Sequence, residues 1–405
     1  MPLKKLACSL LFSFPLWAGL GNAYIANNGS NDVSVVDTST NTVLGTISVG
    51  SGPSGIAITP DGAKAYVPNF DDDTVSVINT STNFGIATIS VGSEPNGLAI
   101  TPDGKQVYIA NSSSQTISII DTSSDTVVGT ITVSPVGEGP QTVAFTPDGT
   151  KAYVPNFVTD NVSIIDTSSA SVVGVIDVGT DPEGAAVTPD GTKVYIAATD
   201  IFVIDTKSDT ILTTIDVGTR PQGIAFTLDG RKAYITNSNS NDVSIIDTST
   251  NTVIGTVMVD LEPIGIALSP DGKEVYVTNS TSNTFTVINT QTDTVIDTGS
   301  SPTNPIAIAF GFAQISTNAQ AKEDIFLTQT ELFNLISWSP TPVLPASYDI
   351  FRGKNANEFI GSVPGTVTEF IDHNRKKNEA NIYFVFGKGT DGAILSRGVT
   401  GVKTE

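Results

Sequence analysis

Residues 53–92 read PSGIAITPDGAKAYVPNFDDDTVSVINTSTNFGIATISVG, and this stretch decides the architecture. Residues 55–58 (GIAI) form a short apolar run. Thr59-Pro60-Asp61-Gly62 is a turn: proline pre-sets φ, aspartate bonds nearby backbone, and glycine accepts a positive φ. Three further runs follow at residues 64–67 (KAYV), 75–78 (VSVI) and 86–91 (IATISV), closed by Gly92. Alternating polarity and β-branched residues argue for strands in all four, and no helical period appears.

The unit recurs. Tyrosines stand at 24, 66, 108, 153, 195, 234 and 276, spaced by 42, 42, 45, 42, 39 and 42 residues. The turn returns at residues 101–104, 146–149, 188–191, 227–230 and 269–272, with Leu228 replacing its proline once. Four strands in a period of this length make one propeller blade. Six units are complete. The chain enters midway through another, with three strands over residues 24–49, and leaves the array with a lone strand at 305–310. One terminal strand and three initial strands predict a seventh blade, which closes the ring and removes exposed sheet edges. The expected fold class is therefore all-β: a seven-bladed β-propeller with one-plus-three strand closure, followed by a small β-sandwich.

Tyr276-Val277-Thr278-Asn279, with its relatives Tyr234-Ile235-Thr236-Asn237 and Tyr108-Ile109-Ala110-Asn111, resembles the repeat of YVTN-type β-propellers over about residues 24–310. The resemblance implies the fold and leaves function open, since one scaffold hosts many activities. Beyond Gly311 the patterning changes. Residues 311–324 read as a polar linker and 325–405 as a β-sandwich. Trp338 on an early strand and Tyr383 on a late one give that segment a resemblance to a fibronectin type III domain.

Residues 1–23 read as a signal peptide. Lys4 and Lys5 are followed by an apolar stretch to Leu20, broken by Pro15, and Gly21-Asn22-Ala23 offers a small-x-small site with cleavage after Ala23. The one cysteine, Cys8, falls inside this segment, so the remaining chain contains no thiol chemistry and no disulfide. Export to the periplasm, cell surface or medium is the expected destination, without membrane insertion after cleavage.

Net charge is −21, and residues 24–312 carry most of it, with 31 Asp/Glu against 9 Lys/Arg. Such a surface repels phosphate backbones, so nucleic acid is not an expected partner. The sole histidine, His373, lies in the C-terminal module beside the basic run 375–377, which rules out a histidine-built metal site or a Ser-His-Asp triad in the propeller. Seven near-identical tyrosines, and the Asp-Thr steps at Asp37, Asp121, Asp166, Asp205 and Asp247, read as structural, because chemistry needs asymmetry. Consecutive aspartates Asp71, Asp72 and Asp73 could offer oxygens to Ca2+, but their spacing fits no calcium loop. No cofactor is expected beyond that possibility.

The residues that break the repeat are the candidates for contact. Inter-blade loops contribute Glu94, Asp181, Glu183, Arg220 and Glu262, and Phe70 and Phe157 are apolar loop residues. The 45-residue spacing reflects an insertion at 134–138 that includes Glu138. The 39-residue spacing reflects a shortened loop at 197–200. Together they predict a notch bordered by Phe157, Asp181, Glu183 and Arg220. The favoured functional reading is a non-catalytic binding or adhesion protein whose partner is a surface protein or glycan. The rivals are a lactonase- or lyase-like propeller enzyme, with carboxylates such as Glu94, Glu183 and Glu262 around a divalent cation, and a structural surface-layer component.

Overall fold

Short β-branched runs separated by Thr-Pro-Asp-Gly turns fold into antiparallel four-stranded sheets, seven of them, in the computed structural model of the chain. The structure describes residues 21–311 in full and, beyond them, the backbone of strands between Ala313 and Lys403. In the turns the Thr59 hydroxyl donates to the Asp61 carboxylate at 2.5 Å, and the Gly62 N–H closes on the Thr59 carbonyl at 2.7 Å. Gly62 sits at φ +74, where a side chain would be strained.

Blade 1 is composite. Pro305–Phe310 pairs with Asn22–Asn27, which pairs with Asp32–Asp37 and then with Thr42–Ser48. The one-plus-three closure is present, so the first and last parts of the array lock into one sheet. The ladder starts earlier than the expected cleavage point. Ala23 faces Phe310 and Val36 and is 0% exposed. The propeller therefore begins at Asn22, because the closing strand needs a full-length partner.

All seven repeat tyrosines are among the largest fully buried side chains. Each hydroxyl that finds a partner reaches into the neighbouring blade, to an Asn or Asp ending the turn before the outermost strand. Tyr66 donates to Asp125 at 2.6 Å, Tyr153 to Asp209 at 2.6 Å, Tyr195 to Asn251 at 2.8 Å, and Tyr276 to Asn41 at 2.6 Å. These acceptors occupy left-handed backbone, Asp125 at φ +53 and Asn251 at φ +53, which Asn and Asp tolerate best among residues with side chains. Lys64, Lys151 and Lys232 grip the same carboxylates, at 2.7, 2.7 and 2.6 Å. The Asp-Thr steps act as expected in the turns, with Asp121 accepting from the Ser123 and Ser124 N–H groups.

Every outermost strand breaks register opposite the third strand, leaving a bulge at Leu44, Ile86, Val128, Val173, Leu212, Ile254 and Ile296. Bulges twist a free edge away from pairing, so seven exposed edges are blunted by the same device.

After the ring the backbone forms two more sheets, of five and three strands. All but the last residue of Thr317–Ile325 falls in the segment expected as a linker, yet this strand pairs with Thr330–Trp338. A polar run can join a ladder because the pairing uses backbone groups alone. His373 and the basic residues 375–377 lie outside the described residues, as do residues 1–20.

Candidate functional site

The loops between blades, and those between second and third strands, meet on one face. A repeated tie holds them: an Asn or Asp ending the second-to-third-strand loop accepts the N–H of the residue before the inter-blade proline. Asn31 serves Gly52 at 2.9 Å, Asp73 serves Glu94 at 2.9 Å, Asp160 serves Asp181 at 3.0 Å, Asn241 serves Glu262 at 2.9 Å, and Asn283 serves Asn304 at 2.7 Å. Gly139 and Arg220 lack it among the described residues. These two loops belong to the two anomalous spacings, which displaced or removed the acceptor.

Blade 5, whose strands are Gly184–Val187, Lys193–Ala197, Ile201–Asp205 and Thr210–Ile215, departs furthest from the repeat. Elsewhere a buried Asn donates to a hydroxyl on the third strand, as Asn69 does to Ser76 at 2.9 Å and Asn156 to Ser163 at 2.8 Å. In blade 5 Ala198 replaces that Asn and Phe202 replaces the hydroxyl residue. Above this trimmed loop opens a cleft of about 580 Å³. Phe157, Asp181, Glu183, Asp200, Asp216 and Arg220 are among its walls.

A second cavity of about 300 Å³ opens at the mouth of the central channel and shares Glu183 with the cleft. Its upper ring takes the residue after each inter-blade proline: Ser54, Asn96, Gln141, Glu183, Gln222, Ile264 and Ile306. Five are polar and two aliphatic. Below them the innermost strands crowd together, because glycine follows in most blades. A Cβ at Gly184 would stand 1.8 Å from the Gln222 carbonyl oxygen.

Glu183 is the hinge of this arrangement. Its Oε1 accepts from Arg220 Nη2 at 3.0 Å, and its Oε2 accepts from the Gln222 side-chain amide. The Glu183 side chain keeps 20% of its exposure and Arg220 keeps 51%, so the pair is reachable from solvent. Arg220 holds φ +57, a left-handed conformation that glycine fills at the matching positions 52 and 139. Within the polar arc Asn96 Nδ2 donates to Gln141 Oε1 at 2.5 Å and Gln141 Nε2 to the Gly139 carbonyl at 2.9 Å. Gln222 is 8% exposed, and its Oε1 is buried without a partner.

The structure brings Phe157, Asp181, Glu183 and Arg220 to one cleft and adds Asp200 and Asp216. It does not bring Phe70, Glu94, Glu138 or Glu262 there. Glu262 accepts from the Thr281 hydroxyl, and the Glu138 N–H is bonded to Thr159 at 3.0 Å. Asp72 accepts the Ser51 N–H at 2.7 Å, so two of the three consecutive aspartates serve loop ties. Glu94, Glu183 and Glu262 do not converge, and no group of three or more His, Cys, Asp or Glu placed to hold a metal occurs among the described residues. Sequence reasoning missed Gln222. Its signal was the ring position after the proline, visible only once the blades are aligned.

The model of the YncE-like β-propeller family matches residues 61–151. This chain carries a β-propeller. A 40-residue stretch is 60% identical to PE-PGRS family protein PE_PGRS18 of Mycobacterium tuberculosis, and the match spans only 9% of that protein's length. Among solved structures, the propeller resembles Kuenenia stuttgartiensis hydrazine synthase at 26% identity and TM-score 0.62, covering 71% of this chain and 99% of that one. It also resembles the periplasmic gluconolactonase PpgL of Pseudomonas aeruginosa at 18% identity and TM-score 0.61, covering 72% and 99%. Propellers from Bacteroides uniformis and Bacteroides fragilis, proposed as 6-phosphogluconolactonases, superpose equally well. Similarity at these identities is similarity of fold. It overturns the reading as a non-catalytic adhesion scaffold, which rested on a rigid ring without a histidine-built catalytic group. The same ring serves in propellers named as lactonases.

Proposed function

We propose that the propeller hydrolyses a cyclic ester at the mouth of its channel. The carrying observation is the Glu183 carboxylate, held by Arg220 and Gln222 where the cleft meets the channel. A carboxylate can take a proton from water, and a guanidinium can stabilise a developing oxyanion. In the step envisaged, water loses a proton to Glu183 as its oxygen bonds the lactone carbonyl carbon. Arg220 receives the negative charge on the carbonyl oxygen. The tetrahedral adduct then collapses, the ring C–O bond breaks, and the ring oxygen takes the proton back from Glu183. The product is an open hydroxy acid. No group of three or more His, Cys, Asp or Glu placed to hold a metal occurs around Glu183 among the described residues, and no step is routed through a divalent cation.

Export supports this reading through the basic and apolar opening segment. No helix among the described residues is long and apolar enough to cross a membrane. The two C-terminal sheets fit a fibronectin type III-like spacer.

Glu183→Gln is the decisive variant. Glutamine already stands at the same ring position in Gln141 and Gln222, so the fold accepts it. Loss of a general base costs about 10²–10⁴-fold in turnover. Lactone hydrolysis followed by proton release should fall by at least about 100-fold with the melting temperature unchanged. Undiminished turnover would remove Glu183 from the reaction.

A further inference from the structure

The charge and hydrogen-bonding pattern of the site select among cyclic esters. We propose that it takes an uncharged, hydroxyl-bearing lactone and discriminates against phosphorylated or carboxylated ones. This rests on the hydrolase reading above.

Two independent observations carry it. The first is Gln222 Oε1, buried without a partner in a residue that lines the channel mouth and whose amide nitrogen donates to Glu183. A buried acceptor left unpaired costs free energy that a ligand donor would recover. The amide cannot flip to satisfy itself, because the flipped form would set its oxygen against the Glu183 carboxylate. A ligand hydrogen-bond donor that reaches this position, such as a ring hydroxyl, would satisfy it. Ile264 and Ile306, opposite the polar arc, offer an apolar wall to the C–H face of such a ring.

The second observation is the cleft itself. Asp181, Glu183, Asp200 and Asp216 line it against the single base Arg220, which already pairs with Glu183. An anionic substituent entering here meets three carboxylates without counter-charge, within a domain that is acidic throughout. No second Lys or Arg is among the residues that line the cleft. Asp181 and Asp200 belong to the trimmed blade and its entry loop, so the feature that opens the cleft also sets its charge.

The test uses the full chain with three probes: glucono-1,5-lactone, its 6-phosphate, and unsubstituted δ-valerolactone. At low salt kcat/KM should be at least tenfold higher for the neutral sugar lactone than for the phosphate. The gap should narrow in 1 M salt, because screening weakens repulsion between exposed charges. Gln222→Leu should lower kcat/KM for both rings, because it also releases Glu183, but the loss should be at least tenfold greater for the hydroxylated ring than for δ-valerolactone. Equal losses on both would reduce Gln222 to a support for Glu183 and overturn its role in recognition. Hydrolysis of the 6-phosphate as fast as the neutral lactone at low salt would overturn the charge selection while leaving the hydrolase intact. If no lactone is turned over, calorimetry with the neutral lactone separates the cases. Binding weakened by Gln222→Leu would retain the recognition and remove the hydrolase, and no binding would remove both.

Discussion

A single hydroxyl, that of Tyr108, stands out from its six counterparts. The other six tyrosines donate to an Asn or Asp in the neighbouring blade, whereas Tyr108 has no hydrogen-bond partner among the described residues. The position where its acceptor belongs is Ala170, which sits at φ +48. Alanine gives up the hydrogen bond and also carries a Cβ into left-handed backbone. Ala170→Asn restores the acceptor with a residue that tolerates left-handed backbone better than alanine does. A neutral hydrogen bond contributes about 1 kcal/mol, which for a domain of this size raises the melting temperature by about 2 °C. Ala170→Gly relieves only the backbone and should gain less. A thermal melt showing no gain for Ala170→Asn over Ala170→Gly would mean that the hydroxyl reaches no acceptor there.

At the level of elements, the opening strand bears on where the expected signal segment would be cut. Asn22–Asn27 pairs along its length with Asp32–Asp37 on one side and with Pro305–Phe310 on the other. Removing residues through Ala23 would delete the Asn22↔Asp37 and Ala23↔Phe310 pairs and empty a fully buried site. Gly19 and Gly21 offer the same small-x-small spacing two residues earlier, and a cut after Gly21 keeps the whole strand. Sequencing the exported protein should therefore read Asn22 first, and a mature chain starting at Tyr24 would sink this assignment. Blade 5 shows the same dependence in reverse. Its loop is three residues shorter, the tie to the Arg220 N–H is lacking, and the Arg220 side chain donates to Glu183.

For the whole molecule, the tyrosine ring makes alkaline pH the natural probe of cooperativity. Burial is the largest cause of a raised pKa at all seven tyrosines, and at Tyr24 it pushes the phenol up to about 12. For a group raised on folding, the stabilisation is complete below the unfolded value near 10 and is lost as pH rises through the folded value. Stability should thus fall steeply above pH 10. Phenolate absorbance from the seven should appear in one step together with loss of the β-sheet signal. Gradual ionisation near pH 10 in a chain that keeps its sheet signal would show that the hydroxyls are solvated.

What the sequence determined by itself was everything that repeats. The tyrosine spacing, the Thr-Pro-Asp-Gly turns and the unmatched strands at the two ends sufficed for seven blades and their closure, because each blade is built from local turns and period-2 patterning. The anomalous spacings also pointed to Phe157, Asp181, Glu183 and Arg220 as neighbours. Tertiary structure decided the rest. Tyr66 and Asp125 lie 59 residues apart and meet only because adjacent blades pack face to face. Gln222 looks like any solvated loop amide until ring closure buries it beside Glu183. Asp73, one of three consecutive aspartates in the sequence, accepts the backbone N–H of Glu94 from the next inter-blade loop. The physical reason is the same in each case: strand and turn preferences act over a few residues, whereas burial and charge pairing depend on which distant blades the ring brings into contact.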